Sequence, residues 1–161
     1  MDKIMKEKKD LNTQKLDLTR CTKLLLDFMY FGGMVVTITL PFSLNFIGRY
    51  LERVRRNYGE AVIIYFILGI AAIALIGELR KIFKTVLKQD CFVEANVKSL
   101  RKMGNLSFFI VVMSIVRSIV YVTMAMGVVI LVFVIAGLFS KVLAMVFEEA
   151  VRYKEENDLT I

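Results

Sequence analysis

The sequence contains no histidine and no tryptophan, and it has only two cysteines and one proline in 161 residues. Without histidine, the chain cannot form a Ser-His-Asp triad, a Cys-His pair or a histidine-containing metal cluster. The thiols of Cys21 and Cys91 alone do not make a zinc site. The sequence also has no glycine-rich nucleotide-binding motif and no paired acidic motif within an apolar stretch. We therefore expect a protein that is not an enzyme and that holds no cofactor or metal.

Apolar residues are abundant instead. The chain is 57% hydrophobic with a mean hydropathy of +0.63, which is too apolar for an ordinary soluble domain of this size. Four apolar runs are long enough to cross a bilayer as helices, and they cover residues 24–47, 61–77, 105–122 and 127–147. The predicted fold class is therefore all-α, an integral membrane protein with four transmembrane helices.

A polar bridge, residues 78–104, separates the second and third runs and divides the spans into two hairpins. Its apolar residues recur at helical spacing, stop at an elbow around Cys91, and then recur again. The bridge is thus predicted to be two short amphipathic helices. The second would rest on the inner leaflet through Phe92, Val93, Val97 and Leu100. The alternative is a docking platform for a cytoplasmic partner.

The distribution of basic residues predicts the orientation. All but five of the 22 lysines and arginines lie in the N-terminal segment 1–23, in the bridge, or near the C-terminal extension 148–161. Because such residues collect on the cytoplasmic side, both termini and the bridge are expected to be cytoplasmic. The net charge of +7 then indicates contact with an anionic inner leaflet, and no direct binding of nucleic acid is expected.

Three charged residues fall inside the predicted spans: Asp27, Arg117 and Lys141. Such residues are candidates for function, but their depths favour anchoring at the membrane surface. Lys141 can extend its stem inward, whereas Arg117 lies beyond the midplane and should reach outward to Glu52 or Glu60. A transport pathway for protons or ions would need ionisable groups at a common depth. The sequence lacks them, which counts against a transporter.

Smaller signals mark the ends of the predicted helices. Asp90 fits the N-cap of the second bridge helix, and Pro41 should bend the first span. Glu148 and Arg152 have the spacing of an ion pair within one helix. Asn157 fits a helix end, with residues 158–161 as a short extended tail.

The segments Asp90–Val97 (DCFVEANV), Leu100–Gly104 (LRKMG) and Lys154–Ile161 (KEENDLTI) resemble a bacterial four-span membrane family classed as a domain of unknown function. Cys91 stands where that family is expected to have proline, which would make the elbow less rigid. Members of the family are often encoded beside a small helix-turn-helix regulator. The resemblance implies a multi-pass protein of the bacterial inner membrane that binds or sequesters such a regulator.

The first functional hypothesis is accordingly a non-enzymatic regulatory membrane protein that recruits a small DNA-binding partner. The tail would add an edge strand or dock in a groove of that partner. The candidate contact residues lie in the elbow and the tail: Phe92, Asn96, Leu100, Arg101, Glu155, Asn157, Asp158, Leu159 and Ile161. The alternative is a small transporter, a channel subunit or a toxin-immunity membrane protein, in which the four spans do the work.

Overall fold

The computed structural model describes residues 2–48, 58–88, 90–120 and 124–158, and these form four long helices. They are α1 (Asp2–Gly48), α2 (Tyr58–Leu87), α3 (Glu94–Val120) and α4 (Met124–Asp158). The described residues contain no β-strand. Each helix includes a stretch that is long and apolar enough to cross a membrane. The predicted all-α fold with four spans is confirmed.

The helices extend well beyond the apolar runs. The first run begins at Leu24, but α1 begins at Asp2, and its 47 residues would measure about 70 Å. That length is more than twice a hydrocarbon core of about 30 Å. The two halves of the bridge are not separate short helices either, because they continue α2 and α3 on either side of the elbow. A helix satisfies its own backbone hydrogen bonds, so it need not end where the apolar run ends.

The helices pack in chain order, α1 on α2, α2 on α3 and α3 on α4. A small core joins α2, α3 and α4, and its buried members are Ile82, Leu100, Met103 and Ala144. Val97 and Leu100 are each only 4% exposed. For these two residues the expectation of contact with the lipid leaflet is wrong, because both are buried inside the protein, whereas Phe92 is 47% exposed.

The remaining apolar surface faces outward, as expected for helices in lipid. Phe28, Phe42 and Ile119 are each more than three-quarters exposed. The helices approach closely where glycine leaves room: a Cβ on Gly69 would lie 2.8 Å from the Thr37 hydroxyl oxygen. Helix α1 continues through Pro41, whose carbonyl accepts a hydrogen bond of 2.8 Å from the Tyr58 hydroxyl. This bond ties the start of α2 to α1.

Candidate functional site

Most of the polar contacts between helices lie at one end of the structure, which we call the polar end. It comprises residues 16–30 of α1, the bridge residues 78–88 and 90–105, and residues 141–158 of α4. Its hydrogen bonds and ion pairs join α1 to α2, α2 to α3 and α3 to α4. The polar end is therefore the candidate functional site.

The elbow between α2 and α3 is held by the side chain of Asn96, which is 1% exposed. Its amide nitrogen donates to the Thr85 hydroxyl at 2.6 Å and to the Cys91 carbonyl at 2.7 Å. The Thr85 hydroxyl in turn lies 2.7 Å from the carbonyl of Ile82, which accepts its hydrogen bond. Because all these groups are partly or fully buried, the network fixes the angle at which the chain reverses.

The backbone at the elbow shows that Asp90 is not the N-cap of α3. That helix begins at Glu94, and the backbone N–H of Asn96 donates to the Val93 carbonyl at 2.9 Å. Asp90 lies too early in the chain to reach the first turn in this way. Its carboxylate instead accepts a hydrogen bond of 3.0 Å from Lys154 of α4. Glu94 is the first residue of α3 and places an acidic side chain in its first turn.

A second contact between helices centres on Glu78, whose side chain is only 12% exposed. Its carboxylate accepts hydrogen bonds from Lys81 at 2.7 Å and from Ser99 at 2.9 Å, and Lys102 lies 3.9 Å away. The charge of Glu78 is thus matched by cations from both α2 and α3. Sequence reasoning treated Glu78 only as the first residue of the bridge, because periodicity does not identify a partner on another helix.

Arg101 of α3 contacts both carboxylate oxygens of Glu148 on α4, at 2.6 and 2.7 Å. The expected pair between Glu148 and Arg152 is therefore wrong. Arg152 lies 3.8 Å from Glu149 and from Glu156. The packing of α3 on α4 thus gives Glu148 a partner on another helix, Arg101, in place of Arg152 on its own helix.

Phe92 forms the exposed apolar point of the elbow. Its ring is packed against that of Phe147, with centroids 5.3 Å apart, and the residue remains 47% exposed. Asp90, two residues before Phe92 in the elbow, forms an ion pair with Lys154 of α4. We call Asp90, Phe92, Phe147 and Lys154 the Phe92 patch.

The other predicted contact residues divide into buried and exposed groups. Asn96 and Leu100 are buried, so they have no surface for a partner and we assign both an internal role. Arg101, Glu155 and Asn157 are exposed. Asp158 is the last residue of α4, so the chain is still helical there and not yet an extended tail. Leu159 and Ile161 lie outside the described residues.

The three charged residues inside the predicted spans contact other parts of the protein, which simple anchoring at the membrane surface does not require. Asp27 accepts a hydrogen bond of 2.5 Å from Arg80 of α2, whose guanidinium lies 4.4 Å from the Tyr30 ring centroid. Lys141 donates to the Asn105 side chain at 2.6 Å, and its stem passes over Gly104. Arg117 is only 8% exposed.

Arg117 is therefore buried, and its contact with Glu52 or Glu60 stays a prediction. Its guanidinium carbon lies 5.3 Å from the ring centroid of Tyr65 on α2, a distance suited to a cation–π interaction. Of the two expected partners, Glu52 lies outside the described residues. Tyr65 lies within an apolar helix, so nothing in the sequence indicated that it would lie beside Arg117.

The polar end thus combines ion pairs between helices with an exposed aromatic ring. No group of three or more His, Cys, Asp and Glu side chains in the described parts of the chain could hold a metal ion. Residues 42–161 match the family described as "protein of unknown function (DUF2975)". The chain belongs to the DUF2975 family. No curated protein and no solved structure matches it.

The DUF2975 match includes all of α2, α3 and α4, and with them the elbow, the Phe92 patch and the α3–α4 ion pair. Most of α1 precedes the matched residues. The Asp27–Arg80 pair thus joins a residue outside the DUF2975 region to one within it. The described polar end is therefore mostly, but not entirely, a feature of that region.

Proposed function

We propose that this DUF2975 chain is a non-enzymatic protein of the bacterial inner membrane that binds a small helix-turn-helix DNA-binding regulator. In this proposal the polar end and both termini face the cytoplasm, where such a regulator is found. The choice of partner follows from the gene neighbourhood that the family resemblance implies. The observation that carries the proposal is the Phe92 patch.

The Phe92 patch has the features of a protein-binding hot spot. Aromatic residues dominate binding energies at interfaces when they are held in place and surrounded by polar groups that exclude water. Phe92 is fixed by Phe147, is half exposed, and has the Asp90–Lys154 pair beside it in the elbow. The buried network of Asn96 holds the backbone below it, so little conformational freedom would be lost on binding.

The end of α4 supplies a suitable charge for a DNA-binding partner. Glu149, Glu155 and Glu156 are exposed near the end of this helix, and Arg152 is the arginine placed between them. A protein that binds DNA presents lysines and arginines to phosphates. An acidic helix end is complementary to such a face. A regulator bound there would be held at the membrane and unable to contact its operator.

The test uses the full chain in lipid nanodiscs and the helix-turn-helix protein encoded by the adjacent gene. Phe92→Ala should weaken binding and raise the dissociation constant roughly 5- to 30-fold, as for an aromatic hot spot. Phe109→Ala is the matched control, because Phe109 is 45% exposed on α3 but lies outside the polar end. Equal effects of the two substitutions, or none from Phe92→Ala, would contradict the assignment of the patch.

Two further variants test the acidic helix end and the tail. Reversing Glu155 and Glu156 to lysine should weaken binding, and the loss should shrink as salt is added because the charges are exposed. Truncation after Asn157 removes Asp158, Leu159, Thr160 and Ile161, and undiminished binding would exclude the tail as a contact. Release of the regulator from operator DNA by nanodiscs that hold the protein would support sequestration.

The proposed orientation has its own test in intact cells. Cys91 lies in the elbow and its residue is partly exposed. In a Cys21→Ser background, a membrane-impermeant maleimide should leave Cys91 unmodified until the cells are permeabilised. Modification from outside would place the polar end on the other side of the membrane and remove the basis for a cytoplasmic partner.

A second candidate, transport by the four spans, draws on one observation within the membrane. Ser107 and Ser114 of α3 are each 1% exposed, and their hydroxyls have no hydrogen-bond partner among the described residues. Polar groups facing the inside of a bundle are a feature of solute pathways. Flux through liposomes that hold the pure protein, abolished by Ser107→Ala and Ser114→Ala, would favour this candidate over regulator binding.

A further inference from the structure

A cavity between α1 and the end of α2 is not used by the proposed regulator site. It has a volume of about 410 Å³ and opens to the outside. The lining residues combine charge with apolar surface: Leu16, Arg20, Lys23, Leu24, Asp27 and Leu87. Its size falls within the range of roughly 300–1,000 Å³ that is usual for small-molecule sites.

One wall of the cavity is a single face of α1. Leu16, Arg20, Lys23, Leu24 and Asp27 recur at spacings of three and four along α1, so they share one face of the helix. Leu87 closes the cavity from the last turn of α2. The wall therefore runs from Leu16, among charged residues, to Asp27, inside the apolar run that begins at Leu24.

The charged side chains that line the cavity do not cancel one another. Asp27 and Lys23 have the spacing of an ion pair within one helix, but Asp27 is bonded to Arg80 at 2.5 Å. No acidic residue in the described part of the chain forms an ion pair with Arg20 or Lys23. Because Arg80 matches the charge of Asp27, the cavity keeps the two positive charges of Arg20 and Lys23. Such a site favours an anion.

The apolar surface beside the two cations limits which kind of anion fits the cavity. Leu24 is 72% exposed at the level where the apolar run of α1 begins, which is where the phosphates of a bilayer meet its acyl chains. A ligand there needs a negative group for Arg20 and Lys23 and an apolar part for the leucines. A free phosphate ion offers only the first. An anionic phospholipid offers both.

We propose that this cavity binds the headgroup of an anionic phospholipid. The phosphate contacts Arg20 and Lys23, and the part of an acyl chain nearest the headgroup lies against Leu24 and Leu87. Basic cavities between membrane helices are known to hold acidic headgroups in this way. The bound lipid joins α1 to α2 beside the Asp27–Arg80 pair. This lipid site is separate from the proposed regulator site, because the cavity lies between α1 and α2 whereas the Phe92 patch lies in the elbow and on α4.

The experiment measures lipid retained by the purified full-length protein. The protein is reconstituted in nanodiscs that contain phosphatidylglycerol and phosphatidylcholine, extracted in mild detergent, and examined by native mass spectrometry. The wild-type protein should retain phosphatidylglycerol in preference to phosphatidylcholine. In the Arg20→Gln/Lys23→Gln variant the preference should fall about 30-fold, as expected from the loss of two interfacial cations.

Two controls make the result specific. Lys84→Gln/Lys98→Gln removes the same charge from exposed positions at the polar end outside the cavity, and it should retain the wild-type preference. Arg20→Lys/Lys23→Arg preserves the charge and should also retain it. Far-ultraviolet circular dichroism checks that every variant has kept its helices.

Three outcomes would overturn the proposal. An equal loss in the Lys84/Lys98 variant would show diffuse attraction to the leaflet and no bound headgroup. An unchanged preference in the Arg20/Lys23 variant would exclude the cavity. Displacement of the lipid by an equal concentration of inorganic phosphate would identify a site for free anions. None of these outcomes depends on whether the chain binds a regulator.

Discussion

Asp27 and Arg80 connect the first two helices through a hydrogen bond of 2.5 Å from the guanidinium Nε to the carboxylate Oδ1. Their side chains are 32% and 21% exposed, so the pair is partly shielded from water. Arg80 also lies over the ring of Tyr30. The charge within the apolar run of α1 is thus matched by a residue from the neighbouring helix.

Substitution of Asp27 by asparagine should lower the free energy of unfolding by about 1–3 kcal/mol, because it leaves the Arg80 cation without a charged partner. The measurement is unfolding of the purified protein by a denaturing detergent in mixed micelles. Lys23→Gln should change the same quantity by less than about 0.5 kcal/mol. A double-mutant cycle of Asp27→Asn and Arg80→Gln should give a nonzero coupling energy. Strictly additive effects would show that the two side chains do not stabilise the fold as a pair.

Substitution of Asn96 by alanine should loosen the elbow. The Cys91 carbonyl and the Thr85 hydroxyl would lose a buried donor, at a cost of about 1–3 kcal/mol. In a Cys21→Ser background, Cys91 should then react with a thiol reagent roughly 5- to 100-fold faster if labelling follows local opening.

Two threonine variants provide the comparison for the elbow. Thr85→Val removes the hydroxyl that bonds to Asn96 and should also accelerate the labelling of Cys91. Thr39→Val removes an exposed hydroxyl that bonds only to carbonyls of its own helix, Val35 and Val36. It should leave the rate unchanged. Equal rates in all four proteins would show that the network does not hold the elbow.

Gly69 and Gly32 differ in the space around them. A Cβ on Gly69 would lie 2.8 Å from the oxygen and 3.0 Å from the methyl carbon of Thr37, which is buried, whereas a Cβ on Gly32 has no neighbour within 4 Å. Gly69→Ala should therefore destabilise the α1–α2 contact by about 1–3 kcal/mol. Gly32→Ala should be neutral or stabilise by up to about 1 kcal/mol. The reverse order in detergent unfolding would show that α1 and α2 are not packed as described.

The Arg101–Glu148 pair should contribute little to stability despite its short distances. Both side chains are 54% exposed, and exposed pairs are worth about 0–1 kcal/mol. Arg101→Ala and Glu148→Ala should each change the free energy of unfolding by less than about 1 kcal/mol, and the change should decrease with added salt. A loss above about 2 kcal/mol, insensitive to salt, would mean that the pair is desolvated in the membrane-embedded protein.

The spans could be predicted because hydropathy is a local property, and each apolar run corresponds to one of the four helices. Residues 121 and 122 of the third run lie outside the described residues. The helix ends could not. Polar residues such as those before Leu24 are compatible with either a helix in water or an irregular segment, and composition does not distinguish them. Likewise, the sequence located the elbow near Cys91 but placed the N-cap of α3 at Asp90, four residues before that helix begins.

The partners of the charged residues were the least predictable part of the site. Periodicity assigned Arg80 to the polar side of its helix, but that side includes the face that meets Asp27 of α1. Glu148 was matched to Arg152 because sequence spacing reveals only neighbours within a helix. Asn96 was taken for a surface contact, since an amide is compatible with both an exposed position and a buried hydrogen-bonding role. Each of these outcomes depends on which helices become neighbours.

The order of packing, α1 on α2, α2 on α3 and α3 on α4, has a consequence for biosynthesis. Each new helix meets a neighbour that left the ribosome before it, so no gap has to be kept open for a later segment. A nascent chain that has inserted only α1 and α2 already contains both residues of the Asp27–Arg80 pair, and α4 supplies Ala144, the last residue of the core around Ile82. The protein can therefore assemble in the membrane while it is still being translated.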